Sequence, residues 1–380
     1  MNSRERLLKA LNHEKPDFVP NSPRLWAWMI EYYGTMGPAA VIKAADEFDF
    51  DPTIQVGLGV PDLVAGQLND SFHFLKYFPE VKIELSIREE NGIVYCRRKI
   101  FTPAGKLEDE MMYPPKGGVY GIAPNPENKE WMIKDEGDLE KFKYLLADPF
   151  KFSSPYEKVK KDFGDKTLIG IRACNGCDHF FVNSIGLGNA MVAYFEKPEL
   201  FKKLLKICAD FNYRCIERAL DYKPDIIMDS WFNCSLSAGW SPAIWREHFF
   251  PYIKADRELV RKAGVYYSFY DDGKIMDILP ELKELSPDIL STLCPPPVGN
   301  VDLRTVKKEL GDKVCLNGFI DLQTIYRGTP EQVENEVKNA IEIAGPGGGY
   351  WLGTSDSIRE GSPLENMKAY FKATRKYGKY

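Results

Sequence analysis

The latter two thirds of the chain alternate between short apolar, β-branched runs and longer segments whose apolar residues recur with helical spacing. The short runs predict strands at 167–171, 225–228, 265–269, 288–293, 313–317 and 349–352. The longer segments predict helices around 197–221, 242–263, 274–285, 302–310, 330–344 and 363–377. Three of these helices have a start signal, because proline directly follows Ser241, Thr329 and Ser362.

Repeated strand–helix units require right-handed crossovers and therefore a parallel sheet. The six units, together with earlier candidate strands near 17–21 and 52–57, make about eight strands. We therefore expect an α/β fold, a (β/α)8 TIM barrel, with 1–380 as a single domain. No Gly-x-Gly-x-x-Gly turn opens a helix after the early strands, which disfavours an open dinucleotide-binding sheet.

Residues 80–118 depart from this alternation. Two β-rich segments flank Asn91-Gly92, a pair that strongly favours a hairpin turn, and Thr102-Pro-Ala-Gly105 predicts a second turn. We expect an antiparallel β meander inserted in the N-terminal third of the barrel. The segment 119–137 is rich in glycine, proline and asparagine and predicts an ordered loop.

Composition restricts the class of protein. The formal charge is −5, with no basic stripe, which disfavours binding to nucleic acid. No apolar run approaches the roughly 18 residues that span a bilayer. The first 12 residues carry charges within their apolar pattern and predict an amphipathic helix, not a signal peptide. Eight scattered cysteines therefore predict reduced thiols and a cytoplasmic location.

Active sites of such barrels lie at the C-terminal ends of the strands, so the residues after each run are the candidates. The candidate catalytic residues are Asp229, Asp272, Tyr270 and His179. The candidate substrate-binding residues are Arg24, Trp26, Trp28, Arg172, Cys177, Trp231, Asn233 and Asp356. Acids at strand ends can transfer protons or orient a substrate, and the aromatic residues offer flat apolar walls.

Several of the candidate residues also have a purely structural interpretation. Asp229 can cap its loop, Asp272 can belong to an Asp-Gly turn, and the early tryptophans can be core. Cys294, which precedes three prolines, can be a soft metal ligand, a pocket wall or a packed small side chain. A zinc ion held by Asp272 and Cys294 is a hypothesis that supplies two ligands only.

Several segments resemble members of the uroporphyrinogen decarboxylase superfamily. They are Ser3-Arg-Glu-Arg-Leu-Leu-Lys-Ala-Leu-Asn-His-Glu-Lys-Pro-Asp-Phe-Val-Pro20, Ser241-Pro-Ala-Ile-Trp-Arg-Glu247, Gly328-Thr-Pro-Glu-Gln-Val333 and Gly345-Pro-Gly-Gly-Gly-Tyr350. The resemblance covers nearly the whole chain and implies the (β/α)8 barrel expected above. It also implies one of two chemistries: cofactor-independent decarboxylation of a tetrapyrrole, or cobalamin-dependent methyl transfer with a corrinoid protein.

Departures from the family pattern favour methyl transfer. Decarboxylases have an arginine-rich loop near their start, whereas Ser22-Pro-Arg-Leu-Trp-Ala-Trp28 has one arginine and two tryptophans. The decarboxylase histidine near the last strand would fall at Asp356. The zinc ligands of the thiol-activating methyltransferases would fall at Tyr270, Asp272 and Gly348, and none is retained. The remaining branch is that of the O-demethylase methyltransferases.

The resemblance therefore implies that the protein moves a methyl group from a small methylated donor, with a methoxylated aromatic expected, to a corrinoid (cobalamin) on a partner protein. Asp229, Asp272, Tyr270 and His179 are the candidates to protonate the departing oxygen. One alternative is a decarboxylase that clamps a carboxylate with Arg24 or Arg172. Another is a non-catalytic accessory that binds the corrinoid protein. Pairing into a homodimer stays open.

Overall fold

The computed structural model describes residues 1–64, 74–174, 176–271 and 273–380. Its internal contacts divide the chain into two compact units. We call residues 1–56, 155–172 and 219–380 the barrel unit, and residues 57–154 and 173–218 the insert unit. The expectation of one domain over 1–380 stays a prediction.

The strands, in chain order, are β1 Thr53–Gly57, β2 Lys82–Glu90, β3 Ile93–Thr102, β4 Gly105–Tyr113, β5 Glu127–Glu130, β6 Leu168–Arg172, β7 Ile226–Ser230, β8 Tyr266–Tyr270, β9 Ile289–Leu293, β10 Cys315–Ile320 and β11 Tyr350–Thr354. The helices are α1 Ser3–Leu11, α2 Ala27–Tyr33, α3 Pro38–Phe48, α4 Gly137–Phe142, α5 Tyr156–Phe163, α6 Cys177–Ile185, α7 Leu187–Glu196, α8 Pro198–Leu220, α9 Pro242–Ile244, α10 Phe250–Lys262, α11 Leu279–Leu285, α12 Leu303–Leu310, α13 Leu322–Arg327, α14 Pro330–Ala344 and α15 Leu364–Tyr377. A π-helical turn, Trp245–Phe249, joins α9 to α10.

The barrel is a parallel sheet whose strands follow the order β1, β6, β7, β8, β9, β10 and β11. The segment 20–22 occupies the remaining place between the two edges. Its Ser22 N–H donates to the Leu352 carbonyl at 2.8 Å, and its Asn21 carbonyl accepts from the Asp51 N–H at 2.7 Å. The eight positions close the ring, and the (β/α)8 barrel is confirmed.

Most predicted elements lie where the sequence placed them. The six strands begin one or two residues later than predicted and end up to three residues later, and the helices agree to within one or two residues except α11, which begins at Leu279 after a 3₁₀ turn. The hydroxyls of Ser241 and Thr329 cap their helices as expected. The cap expected at Ser362 is wrong, because this hydroxyl donates to the Arg359 carbonyl and Pro363 precedes the helix.

Helix α1 packs against one end of the barrel interior. Leu7, Ala10 and Leu11 form a buried cluster with Leu168, Ile226, Ile289, Cys315 and Trp351. Because side chains alternate along a strand, this cluster identifies the residues of each strand that point inward. It also fills the N-terminal end of the interior, which leaves the C-terminal end, the mouth, for a site.

The insert unit contains the antiparallel sheet β2-β3-β4-β5. Asn91 and Gly92 both have positive φ, 52° and 77°, as a type I′ hairpin turn requires, and Thr102 pairs with Gly105 at the second turn. The predicted meander is therefore confirmed. The loop predicted over 119–137 is wrong in part, because β5 pairs with β4. Its sequence, Glu-Asn-Lys-Glu, contains no apolar residue, so the pattern of apolar positions gave no sign of a strand. Backbone pairing with β4 holds this edge strand in the sheet.

Two further expectations concern covalent and membrane properties. All eight cysteines lie in the described part of the chain, and none of them forms a disulfide. Within residues 1–64, 74–174, 176–271 and 273–380, every helix is too short or too polar to cross a bilayer.

Candidate active site

Strand β8 presents tyrosines to both of its faces. Tyr266 packs against the inner cluster, and the Ser268 hydroxyl lies 2.9 Å from that of Ser291 on β9, so Tyr266, Ser268 and Tyr270 point into the barrel. Tyr267 points outward for the same reason. Tyr270 is level with Ser230 on β7 and with Ser291 on β9. The last inward layer at the mouth therefore contains a phenol between two hydroxyls.

Three residues that the sequence selected meet at the mouth: Arg24, Tyr270 and Asp356, which we call the mouth cluster. The Arg24 guanidinium lies over the Tyr270 ring, 4.2 Å from its centroid. The Tyr270 hydroxyl donates to Asp356 Oδ1 at 3.4 Å, and an Arg24 nitrogen lies 3.8 Å from the same oxygen. Arg24 and Asp356 follow the first and last barrel positions, whereas Tyr270 ends the fifth. The cluster therefore spans the mouth.

The charges of the mouth cluster compensate one another. Tyr270 is 3% exposed beneath the guanidinium, whereas the side chains of Arg24 and Asp356 are 30% and 51% exposed. One cation faces one carboxylate, so the cluster has no net charge to attract a polyanion. The cluster provides a phenolic proton that points at the Asp356 carboxylate and lies under the Arg24 guanidinium.

Ser230 is a candidate that the sequence analysis missed. It is 1% exposed, it points inward beside Tyr270, and its hydroxyl has no hydrogen-bond partner among the described residues. A buried hydroxyl without a partner is unfavourable, which suggests that a ligand or water satisfies it. The sequence signal for it was alternation along the strand, because Ile226 and Met228 point inward and Ser230 is the next residue on that face. By the same alternation Arg172, half-buried at the end of β6, also points inward.

Asp229 and Trp231 belong to a different environment. The Trp231 indole N–H and the Tyr267 hydroxyl both donate to Asp229 Oδ2, at 3.0 and 2.7 Å. All three residues are 2% exposed or less, and Arg257 of α10 lies over the Tyr267 ring at 5.8 Å. This carboxylate is therefore between the sheet and the helix layer. Burial, and next the Asp229 charge, raise the pKa of Tyr267 well above its ordinary value.

The tryptophans predicted for the pocket also separate. Trp26 is 37% exposed at the start of α2. Trp28 is fully buried, stacked on Tyr32 at 5.0 Å and edge-on to Phe48 of α3 at 5.5 Å, so it is part of the helix core and not of the mouth. The Asn233 carbonyl, in the turn after β7, accepts from the Trp240 indole at 3.1 Å.

His179 and Cys177 lie on α6, in the insert unit. His179 Nε2 is 2.9 Å from Asp62 Oδ2, and its Nδ1 is 3.2 Å from the amide nitrogen of Asn183. With Nε2–H donating and Nδ1 accepting, both ring nitrogens are used by the protein. Cys177, the first residue of α6, is fully buried.

The hypothetical metal ligands are only partly described. Asp272 lies outside the described residues. Cys294 is buried, and its Cβ packs against Gly273 and Gly299, where a methyl group would approach to 2.2 and 2.7 Å. Among the described residues, no group of three His, Cys, Asp or Glu side chains is placed to hold a metal ion.

Gly348, the position that matches the third zinc ligand of the thiol-activating methyltransferases, lies at the wrong end of the barrel to share a metal ion with Tyr270. It lies before β11, where an added Cβ would be 2.8 Å from the Glu14 carbonyl just after α1. Tyr270 ends its strand at the opposite end of the barrel. A five-residue strand is roughly 15 Å long, so these two positions cannot share a metal ion.

The chain was compared with protein families, curated proteins and solved structures. A curated uroporphyrinogen decarboxylase from Chlorobaculum parvum is 26% identical over 77% of this chain and 82% of its own length. Another, from Chlorobaculum tepidum, is 27% identical over 40% of this chain and 41% of its own. A solved methyltransferase from Methanosarcina mazei has the same fold, with a TM-score of 0.63, 14% identity and 99% of each chain covered.

The family model described as uroporphyrinogen decarboxylase (URO-D) matches residues 182–377. This match extends over more than half of the chain, from α6 to the end of α15. The chain therefore belongs to the uroporphyrinogen decarboxylase family.

Proposed function

We propose that this protein is a methyltransferase that moves a methyl group from a small methylated donor, expected to be a methoxylated aromatic, to the cobalt(I) corrinoid of a partner protein. The mouth cluster carries the proposal. Its only cation, Arg24, lies on Tyr270 and beside Asp356 instead of being free to bind the carboxylates of a porphyrinogen. The similarity in fold to a solved methyltransferase from Methanosarcina mazei supports the methyl-transfer part of the proposal.

The mouth suits a corrinoid presented by another protein. Exposed apolar side chains lie on three segments that follow barrel positions: Trp26, just before α2, is 37% exposed, Val298, after β9, 54%, and Tyr326, in the short helix α13, 46%. Contact of these apolar side chains with a flat macrocycle is favourable, whereas their exposure to water is not. When bound, the cobalt(I) centre supplies the nucleophile that accepts the methyl group.

The side chains of the mouth would act on the methyl donor. The Ser230 hydroxyl would donate a hydrogen bond to the donor's ether oxygen and hold it beside Tyr270. The Tyr270 hydroxyl would then protonate this oxygen as its bond to the methyl group breaks. Arg24, over the ring, would stabilise the negative charge that Tyr270 acquires, and the half-exposed Asp356 would connect the phenol with water.

Zinc stays a prediction, and no step above depends on it. Cys294 can offer a thiolate, but no described side chain completes a set of three ligands around it. Metal analysis of the purified protein, with Cys294→Ala and Asp272→Asn as variants, tests this prediction. Equimolar zinc that is lost in both variants would support it.

The test of the proposed function uses the purified chain, a reduced corrinoid protein and a panel of methoxyarenes and methylamines. The proposal predicts that a methyl-cobalt absorption spectrum develops with at least one methoxyarene, and only when the chain is present. If the chain forms a tight complex with the corrinoid protein but no donor yields methyl-cobalt, it is a non-catalytic accessory and the proposal is wrong.

Decarboxylation is the second candidate, because the curated relatives named above are uroporphyrinogen decarboxylases. Arg172, which points into the barrel, and Arg24 would then bind substrate carboxylates. Release of carbon dioxide from uroporphyrinogen without any corrinoid would support this candidate. Our proposal predicts no release above that of a heat-inactivated control.

A further inference from the structure

The turn after β7 carries an aromatic side chain that the chemistry proposed above does not use. Phe232 follows Trp231, whose indole is held behind the sheet. It stands two residues beyond Ser230, whose hydroxyl points inward. The Phe232 ring lies against that of Tyr270, with 6.1 Å between the ring centroids and 79° between the planes. Phe232 is only partly buried, so some of its apolar surface is open beside the mouth cluster.

Hydrogen bonds fix the backbone of this turn. The Trp231 N–H donates to the Tyr270 carbonyl at 3.2 Å, which ties the turn to the end of β8. The Ser235 hydroxyl donates to the Phe232 carbonyl at 2.6 Å. The Cys234 N–H donates to the Trp231 carbonyl at 3.0 Å. Phe232 therefore stands on a rigid support, and a ligand that packs on its ring requires little further ordering of the backbone.

The surroundings of the Phe232 ring discriminate among classes of methyl donor. Arg24 lies over the neighbouring Tyr270 ring, so a methylammonium placed beside Phe232 would meet a like charge. A small aliphatic donor such as methanol would leave the phenyl ring in contact with water. A flat, uncharged ring avoids both costs, because it can pack face-on or edge-on against the phenyl group.

We propose that Phe232 binds the aryl ring of the methyl donor and thereby restricts the donor to aryl methyl ethers. With the ether oxygen held by Ser230 and Tyr270, the ring bonded to this oxygen begins one bond away. Phe232, which contacts Tyr270 and follows Ser230 by two residues, is the side chain against which that ring packs. The inference rests on the proposed function, because that function places the ether oxygen.

Two ethers of similar size test the inference: methoxybenzene, whose ring is flat, and methoxycyclohexane, whose ring is puckered. Isothermal titration calorimetry measures their binding to the full chain without any corrinoid. The wild type is expected to bind methoxybenzene about 2–10-fold more tightly, which is what an aromatic pair contributes beyond its contact area. Phe232→Leu keeps an apolar side chain but should remove this preference. Phe232→Tyr keeps a flat ring and should retain it.

Phe163→Leu is the matched control. Phe163 is also partly buried, but it ends α5 just before β6 begins, so it lies at the opposite end of the barrel from the mouth. This variant should keep the wild-type preference, and urea unfolding confirms that all variants are folded. A wild type that binds the two ethers equally would overturn the inference. So would a preference that survives in Phe232→Leu, or one that Phe163→Leu also abolishes.

Methyl transfer from the same ethers separates this inference from the proposed function. Binding with the flat-ring preference, but no methyl-cobalt from any methoxyarene, would support the role of Phe232 and contradict the proposed function. Methyl-cobalt formed from both ethers with equal kcat/KM, by the wild type and by Phe232→Leu, would contradict the role of Phe232 and support the proposed function.

Discussion

Two aspartates of the barrel unit each accept a hydrogen bond from a tyrosine of strand β8, in opposite environments. Asp229 accepts from Tyr267 at 2.7 Å, and both side chains are buried behind the sheet. Asp356 accepts from Tyr270 at 3.4 Å, and its side chain is 51% exposed at the mouth. The chemical groups are the same, and the tyrosines are three residues apart on one strand.

The difference shows that the face of the strand decides the role of the group. A buried carboxylate with two donors has no access to a substrate, and its interactions hold the sheet to the helix layer. A carboxylate at the mouth contributes little to stability, because water can replace its partners. We therefore assign stability to the Asp229 pair and, under the proposed function, chemistry to the mouth cluster. Variants of each should change one property and leave the other unchanged.

The largest expected effect is that of Tyr270→Phe on methyl transfer. Loss of the phenolic proton should lower the rate of methyl-cobalt formation about 10²–10⁴-fold, the usual contribution of a general acid. The free energy of unfolding should change little, since the lost hydrogen bond is long and joins a half-exposed partner. Stopped-flow absorbance measures the first quantity and urea unfolding the second. An unchanged rate would remove Tyr270 from the chemistry.

Asp229→Ala should have the largest effect on stability. It leaves the Tyr267 hydroxyl and the Trp231 indole N–H buried without an acceptor, which costs about 2–5 kcal/mol of the free energy of unfolding. Asp356→Ala is the matched variant and should cost less than about 0.5 kcal/mol. Urea unfolding compares the two. Equal losses would show that the environments are not as different as we state.

The Tyr267 environment also predicts a pH dependence. Burial raises the pKa of Tyr267 in the folded protein, whereas in the unfolded chain it is about 10. Above about pH 10 the unfolded chain loses its proton first, so the free energy of unfolding falls as the pH rises. Tyr267→Phe should reduce this slope by up to about 1.4 kcal/mol per pH unit. Urea unfolding between pH 9 and 11 measures the slope, and an unchanged slope contradicts the prediction.

Arg24→Gln is expected to have only a small effect on stability. The Arg24–Asp356 pair is partly exposed and 3.8 Å apart, so its loss should change the free energy of unfolding by less than about 1 kcal/mol. The rate of methyl transfer should fall more than stability does, because the variant no longer stabilises charge on Tyr270. A stability loss comparable with that of Asp229→Ala would make Arg24 a structural residue.

The sequence predicted the barrel and part of the mouth. Alternation of apolar runs with helical segments suffices for the fold, because each strand–helix unit has its own local pattern. Arg24, Tyr270 and Asp356 follow predicted strands, and the general rule for barrels placed them at the mouth. Their mutual contact could not be predicted, because it joins three segments that are distant in the chain.

The prediction of site residues was wrong where the role of a residue depends on the direction in which its side chain points. Asp229 also stands near the end of a strand, but its alternation with Ile226 turns it outward, and the same alternation turns Ser230 inward. The predicted strand begins one residue before the observed one, and an error of one residue exchanges the two faces of a strand. Trp28 was expected at the pocket because aromatic residues cluster there in sequence, yet helix α2 turns it into the core.

The central claim is that the mouth transfers a methyl group to cobalt. The most direct measurement incubates the chain and a reduced corrinoid protein with a methoxyarene whose methyl group is deuterated, and then analyses the corrinoid by mass spectrometry. The account predicts a deuterated methyl group on cobalt with the wild type and with Val119→Asp, a control change at a side chain that is 94% exposed, and far less with Tyr270→Phe. A corrinoid without the label, together with carbon dioxide released from uroporphyrinogen by the same preparation, would contradict it.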